Sequence, residues 1–429
     1  MNLPAPNQWT RRLIILLVLG VLAAACGGGS GFEESGGGDQ AEGGGGATGG
    51  SDGGDAGVSL QLMGFSSSPA EDQELSKIID GYNEQSSNTA EFNPVPDYAT
   101  TLQASLAGGE PPDVFYVNDN QIPDLATANT LAPAEGNIDN PDDFYPNLKE
   151  AFTFEGTWYC PPKDFSTLAL QYNTQLLSDA GVEPPTNWDE LRAAAQKLTK
   201  GDVVGLVLGP EYFRWGVFNE QAGGGLTNDD LTEMTAAAPP NVEAFDYLEQ
   251  MYQQGTAAEP SDLQAGWAGE AFGQGKAAMT IEGNWMVAAM RDGYPDLKWE
   301  TAELPEGPAG KGTFSFSVCY AVPQGAKNPD ASWDLVNYLV SSEQMLAFTK
   351  QFPVMPSRPS LRDQWLEANP DLKAFLDSAE YARSPAWVPG FQAVLDQLNS
   401  GIQGIAAGNK QPQQVLEETQ QTGQSVLGG

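Results

Sequence analysis

The sequence predicts an α/β protein of two domains, carried behind a short export segment and a glycine-rich tether. Three observations predict it. Stretches with the two-residue period of strands alternate with stretches of helical period, the pattern of α/β layers. About 370 of the 429 residues follow the tether, too many for one core and enough for two ordinary domains. The residues before them show neither period.

Arg11 and Arg12 give the leader a positive start, and residues 13–25 are apolar apart from Gly20. Those 13 residues are too few to span a bilayer, which takes about 20. With Ala23, Ala24 and Ala25 at its end, the segment 1–25 reads as a secretory signal peptide. Cys26 follows directly, and small residues ending in cysteine look like a bacterial lipobox, in which the cysteine becomes the lipidated N-terminus. Leu22 stands four places before it rather than the usual three. Lipidation would anchor the protein to the outer face of the cytoplasmic membrane; ordinary secretion with a free Cys26 is the alternative. Residues 27–57 hold 16 glycines, six acids and no lysine or arginine, the composition of a flexible coil. Its reach is roughly 30 Å. A lipidated cysteine with a disordered tether therefore covers 26–57.

The formal charge is −37 and no histidine occurs. Phosphate binding needs clustered Lys and Arg, so nucleic acid is excluded as a partner. Without histidine, the serine–histidine and cysteine–histidine catalytic arrangements are excluded too, and no metal or cofactor is called for. So acidic a surface serves solubility, including in salty surroundings. Two cysteines remain in the body, Cys160 and Cys319, an even pair that in an exported chain suggests a disulfide. The sequence alone does not show that they meet.

Taken in order, VSLQLMGF (58–65) reads as a first strand, followed by the polar loop SSSPAEDQ. Leu75, Ile78, Ile79 and Tyr82 then share one helical face. PPDVFYVND (111–119) and TLALQYN (167–173) are further strands, and a helix covers 188–198 with Asn187 or Thr186 as its cap. VVGLVLG (203–209) and KAAMTIEGNW (276–285) are strands. GTFSFSVCYAVP (312–323) alternates, with Phe314, Phe316, Val318, Tyr320 and Val322 on one face. A helix is expected over 333–348, and helical stretches dominate after Leu361.

Several ordered segments carry a resemblance: PPDVFYVND, CPPKDFSTLALQYNTQLL with NWDEL after it, GKAAMTIEGNW, SFSVCYAVPQGAKNPDASWDLVNYLVSSEQ and FPVMPSRPS. Together they span most of 58–400, and the chain resembles the extracellular solute-binding proteins of sugar ABC importers, the maltose-binding-protein-like group. The resemblance implies a two-lobed, periplasmic-binding-protein-like (type II) α/β fold with a ligand cleft between lobes joined by a strand hinge. It places 58–162 with 320–353 in an N-terminal lobe and 163–319 with 354–429 in a C-terminal lobe. The chain would cross near 159–164, return near 314–320 and cross again near 352–356. The first two crossings would be neighbours, and they carry Cys160 and Cys319, so the resemblance implies a disulfide bracing the hinge; two buried free thiols are the alternative.

A sugar asks for planar carboxylate, amide and guanidinium partners for its hydroxyls, and aromatic faces for its rings. By resemblance, Ser67 and Glu71 in the loop after the first strand line the cleft, although a serine there also suits a helix cap with Glu71 in the first turn. Asp119, after the second strand, and Tyr98 are further candidates. Lys163 and Asp164 sit at the hinge, where a buried charge pair could equally be structural. Asn284 and Trp285, in EGNW, end a strand with an amide and a stacking platform; the alternative for Trp285 is a core residue. Trp215 and Trp387 are candidate platforms. Arg358 offers a planar fork to vicinal hydroxyls, or a surface ion pair.

The expected role is capture of a di- or oligosaccharide by lobe closure and its delivery to ABC permease subunits, by a monomer that is not an enzyme. No GxxxxGK[ST] loop occurs, so the ATPase is another chain. A non-sugar cargo such as a polyamine or small peptide is the alternative. A glycan-cleaving enzyme with paired carboxylates is the remaining one, but no segment resembles a hydrolase.

Overall fold

Strand and helix alternate through residues 57–428 of the computed structural model, all of which are described except Ser67 and Ala386. The signal peptide, Cys26 and the tether lie outside the described residues, as does the candidate contact Ser67.

Twelve strands are described: β1 (Ser59–Gly64), β2 (Thr89–Pro94), β3 (Val114–Asn118), β4 (Thr153–Phe154), β5 (Thr157–Trp158), β6 (Pro162–Asn173), β7 (Val204–Val207), β8 (Ala257–Ala258), β9 (Ala277–Gly283), β10 (Trp299–Ala302), β11 (Thr313–Ala321) and β12 (Ala382–Arg383). Ten join in one sheet, with β2-β1-β3 at one end and β9-β7-β8 at the other. Both ends are parallel, as expected where helices return the chain. The two long strands β11 and β6 run antiparallel between them.

Those two strands are shared between the ends by halves. Val318–Ala321 of β11 pair with β3, while Ser315–Cys319 pair with β6. The first half of β6 pairs with β11, and its second half, from Leu168, pairs with β9 and β10. The ladder is therefore staggered, and two cores form on either side of it. One gathers Leu60, Leu62, Ile78, Phe115, Tyr116 and Trp333. The other gathers Leu168, Leu170, Trp188, Trp215, Phe245 and Leu398. The third crossing runs beside the first, since Phe165 and Met355 exchange backbone hydrogen bonds at 2.9 and 2.8 Å. Cys160 and Cys319, both fully buried, form the expected disulfide with Cα atoms 5.6 Å apart.

Local chemistry explains the element ends. Ser68 caps the helix Pro69–Gln85 by accepting from Glu71 N at 3.3 Å, and Leu75, Ile78, Ile79 and Tyr82 are buried as their spacing predicts. Asn187 caps the helix Trp188–Leu198 through Glu190 N at 3.0 Å. The single helix expected over 333–348 is instead two, Pro329–Leu339 and Ser342–Gln351. Ser341 takes an extended backbone and its hydroxyl accepts from Gln344 N, so it starts a second helix where apolar spacing alone reads straight through.

The alternation of β11 also has a different meaning from the expected one. Phe314 and Tyr320 are buried, but Phe316 and Val318 on the same face are only half-buried, while Ser315 and Ser317 are buried. The middle of the strand is covered on its serine face and opens on its apolar face.

Candidate functional site

What Phe316 and Val318 open into is a cavity of about 410 Å³ whose walls come from both cores. β1 and the helix after it supply Phe65 and Glu71, and the end of β3 supplies Tyr116, Asn118, Asp119 and Asn120. β6 gives Lys163, Asp164 and Ser166, and the third crossing gives Phe352 and Val354. Phe213 and Trp285 come from the second core. A hollow of about 970 Å³ also exists, but every residue lining it, among them Trp188, Arg192 and Tyr247, lies within 187–308 or at Gln413, on the second core's side alone.

The aromatic wall is built around Trp285. β9 ends at Gly283, where a Cβ would fall 2.2 Å from the Trp285 ring, so the glycine lets the indole fold back along its own strand. The indole Nε1 donates to Glu282 at 3.1 Å, and Arg214 donates to the same carboxylate oxygen at 2.7 Å. The Arg214 guanidinium also lies 5.3 Å from the ring centre and pairs with Glu211 at 3.3 Å, so the platform is held by one guanidinium shared between two carboxylates. Phe316 meets Trp285 edge-on at 5.4 Å, and Phe213 meets Phe316 in the same way at 5.6 Å.

The polar wall centres on Lys163. Its ammonium pairs with Glu71 at 3.1 Å and with the neighbouring Asp164, and lies 4.3 Å from the centre of the Phe348 ring. Burial alone would pull this lysine down, but Asp164 and Glu71 outweigh it and hold the ammonium charged. Burial also raises Asp164, against the pull of Lys163. Asp119 accepts from Asn120 N at 2.8 Å, and desolvation pushes its carboxyl up to about 7. At one rim the two sides touch directly: Asn120 Nδ2 donates to Gln392 Oε1, and Gly390 N to Asp124 Oδ1, both at 2.8 Å.

Residues 77–374 match the family described as bacterial extracellular solute-binding protein. The chain belongs to this family. Like its relatives, this solute-binding protein is two-lobed, with the cavity between lobes that β6 and β11 join. It is 24% identical to the maltotriose-binding protein of Pyrococcus abyssi over 73% of this chain and 70% of that one. It is 24% identical to a diacetylchitobiose binding protein of Streptomyces coelicolor, over 70% of this chain and 72% of that one. Among solved structures it is similar to an ABC substrate-binding protein from Listeria monocytogenes in complex with cycloalternan, with TM-score 0.79 and 25% identity over 87% of this chain and 99% of that one. The family is extracellular, so the protein is exported. No described helix is long and apolar enough to cross a membrane.

Five residues expected at the ligand line the cavity of this solute-binding protein: Glu71, Asp119, Lys163, Asp164 and Trp285. Five others are placed elsewhere. Trp215 is fully buried against Phe245 and Tyr252, at 5.2 and 5.6 Å, because its helix turns that side into the second core. Arg358 does not line the cavity, and it pairs with Asp143 at 3.8 Å. It is 3% exposed and donates to the carbonyls of Val340, Asn140 and Asp139 at 2.7, 3.1 and 3.3 Å. Tyr98 stands behind Phe65 at 5.6 Å and donates its hydroxyl to the Tyr116 carbonyl. Asn284 is fully buried and donates to Pro353 O at 2.9 Å, tying the end of β9 to the third crossing. Trp387 packs on Phe213 at 6.0 Å and on Phe391 at 5.9 Å, and lines an adjoining hollow of about 200 Å³. Phe213 and Phe316 were not singled out from the sequence; the signal for Phe316 was the alternation of β11.

Proposed function

We propose that this protein captures a carbohydrate, a di- or oligosaccharide, by closing its lobes 58–162 with 320–353 and 163–319 with 354–429 upon it, and delivers it to the permease of an ABC importer. The observation that carries the reading is a cavity walled from both sides of the hinge strands, in which Trp285, Phe213 and Phe316 stand beside Asp119, Asp164 and Ser166. Aromatic faces suit sugar rings and planar polar groups suit hydroxyls. The names of the relatives support the same class of cargo. Because both lobes touch the cargo, binding favours the closed form. Lipidated Cys26 and the tether 26–57 keep a monomeric carrier at the outer face of the cytoplasmic membrane, which raises its concentration near the permease. The chain captures and does not cleave.

A thermal-shift panel of mono-, di- and oligosaccharides beside spermidine and amino acids tests this. A saccharide at 100 times its Kd adds about 2.7 kcal/mol of stability. Trp285→Ala should abolish that gain while leaving the unliganded melt within a few degrees, since one wall of the indole faces the cavity. A shift with spermidine and with no saccharide would replace the sugar by a polyamine.

A further inference from the structure

The rim where the two lobes touch is built on a helix start. The helix Phe391–Ala406 begins at Gly390, which takes a left-handed φ of 79° and has no side chain to cap the first turn. Its amide is one of those that a helix start leaves without an internal partner. The acceptor comes from the other lobe: Gly390 N donates to Asp124 Oδ1 at 2.8 Å, across 266 residues of chain. A carboxylate at a helix N-terminus is favoured by the helix dipole as well. In the same turn Gln392 Oε1 accepts from Asn120 Nδ2 at 2.8 Å, and the Trp387 indole bears on Asp119. Both sides of this seam are rooted. Ile122 and Leu125 pack into the first core, and Trp387 and Phe391 belong to the second. Ser384 is tied to Ser315 of β11 at 2.7 Å. A change of angle between the lobes therefore has to break the seam rather than stretch a slack loop. Asp124 and Gln392 are exposed and neither lines the cavity, so these contacts are made by the chain alone and ask nothing of a cargo.

Resting on the lobe-closure reading above, we propose that Asp124 and Gln392 are positioning residues of the capture step: a helix cap supplied across the cleft clasps the lobes shut before cargo arrives. The clasp opposes the mutual repulsion of two acid-rich lobes. Cargo enters when it opens, and once inside is retained by the clasp as well as by its own contacts. Apparent affinity scales with the fraction of carrier in the competent form, so part of it is set by residues that the cargo never touches.

Small-angle X-ray scattering from the purified protein, dialysed free of solute, tests the inference. The wild-type curve should match the closed form described here. Asp124→Ala combined with Gln392→Ala should raise the radius of gyration to that of parted lobes. Asp124→Asn keeps an oxygen for Gly390 N and should hold the wild-type radius. Hydrogen exchange gives the magnitude: loss of two hydrogen bonds should speed exchange of the 385–392 amides about tenfold or more. The radius is the readout that a merely local role would not move, and both side chains are exposed, so the variants keep their cores. Equal radii for the wild type and the double variant, whether closed or open, overturn the clasp. So does an Asp124→Asn variant that opens as far as the double variant. Scattering uses no saccharide, so its outcome is separate from that of the thermal-shift panel: an overturned clasp leaves the carbohydrate reading standing, and a panel without a saccharide shift leaves the clasp standing.

Discussion

Asp119 carries its consequence in its sign. Burial raises its carboxyl from 3.8 to about 7, so between those values the folded chain holds a proton that the unfolded chain has released. Stability therefore falls as pH rises through that window and is level above it. Asp119→Asn should flatten this part of the melting-temperature profile of the unliganded protein; an unchanged profile would show that the carboxyl titrates normally. Arg358 makes the opposite kind of prediction. Arg358→Ala strands three carbonyls and should cost about 3 kcal/mol in chemical denaturation, with ligand affinity unchanged. Arg358→Lys should recover only part, because an ammonium lacks the planar fork. Glu71, Asp119 and Trp285 were legible because each follows the end of a strand, where open α/β sheets present their loops. Trp215 was misread because aromatics at 212, 213 and 215 compete on one helix, and only its rotation against the sheet turns Phe213 to the cavity. Arg358 was misread because two of its three carbonyl partners lie about 220 residues away.

At the scale of elements, β6 and β11 decide the architecture by dividing their hydrogen bonds between the two ends of the sheet. The disulfide fastens the end of that pair nearest β3, where Cys319 pairs with Val117 and with Pro162. It closes a loop of 159 residues, for which the chain-entropy account gives roughly 5 kcal/mol of stabilisation. Cys160→Ala with Cys319→Ala should lower the denaturation free energy by about that amount; a loss below about 1 kcal/mol would mean that the sheet alone fixes the crossing. The strands that read clearly from sequence were the apolar ones, such as Val204–Val207. The first half of β6, with Lys163, Asp164 and Ser166, did not read as a strand because its polar residues are buried by partners, not exposed to water. The break at Ser341 was hidden because one side-chain hydrogen bond overrides a continuous apolar spacing.

For the whole molecule, two cores were foreseeable from length alone, whereas their chain composition was not, since each lobe is stitched from separate stretches. A charge of −37 repels itself across both lobes. The melting temperature should therefore rise as salt is added, as the screening length falls from about 10 Å at 0.1 M to about 3 Å at 1 M. A flat or falling curve would show that the acids are spaced too widely to matter.

The disulfide also bears on how such a chain comes to be folded outside the cell. Cys160 leaves the export channel 159 residues ahead of Cys319, and β11 closes against β3 only after most of the second lobe has followed. The first lobe is thus left unfinished, with β3 an open edge, until β11 arrives. Order of emergence then seals the first lobe with β11 and the stretch after it, and the second last, since its core takes Leu398, Ile402, Val415 and Leu416 from the final helices.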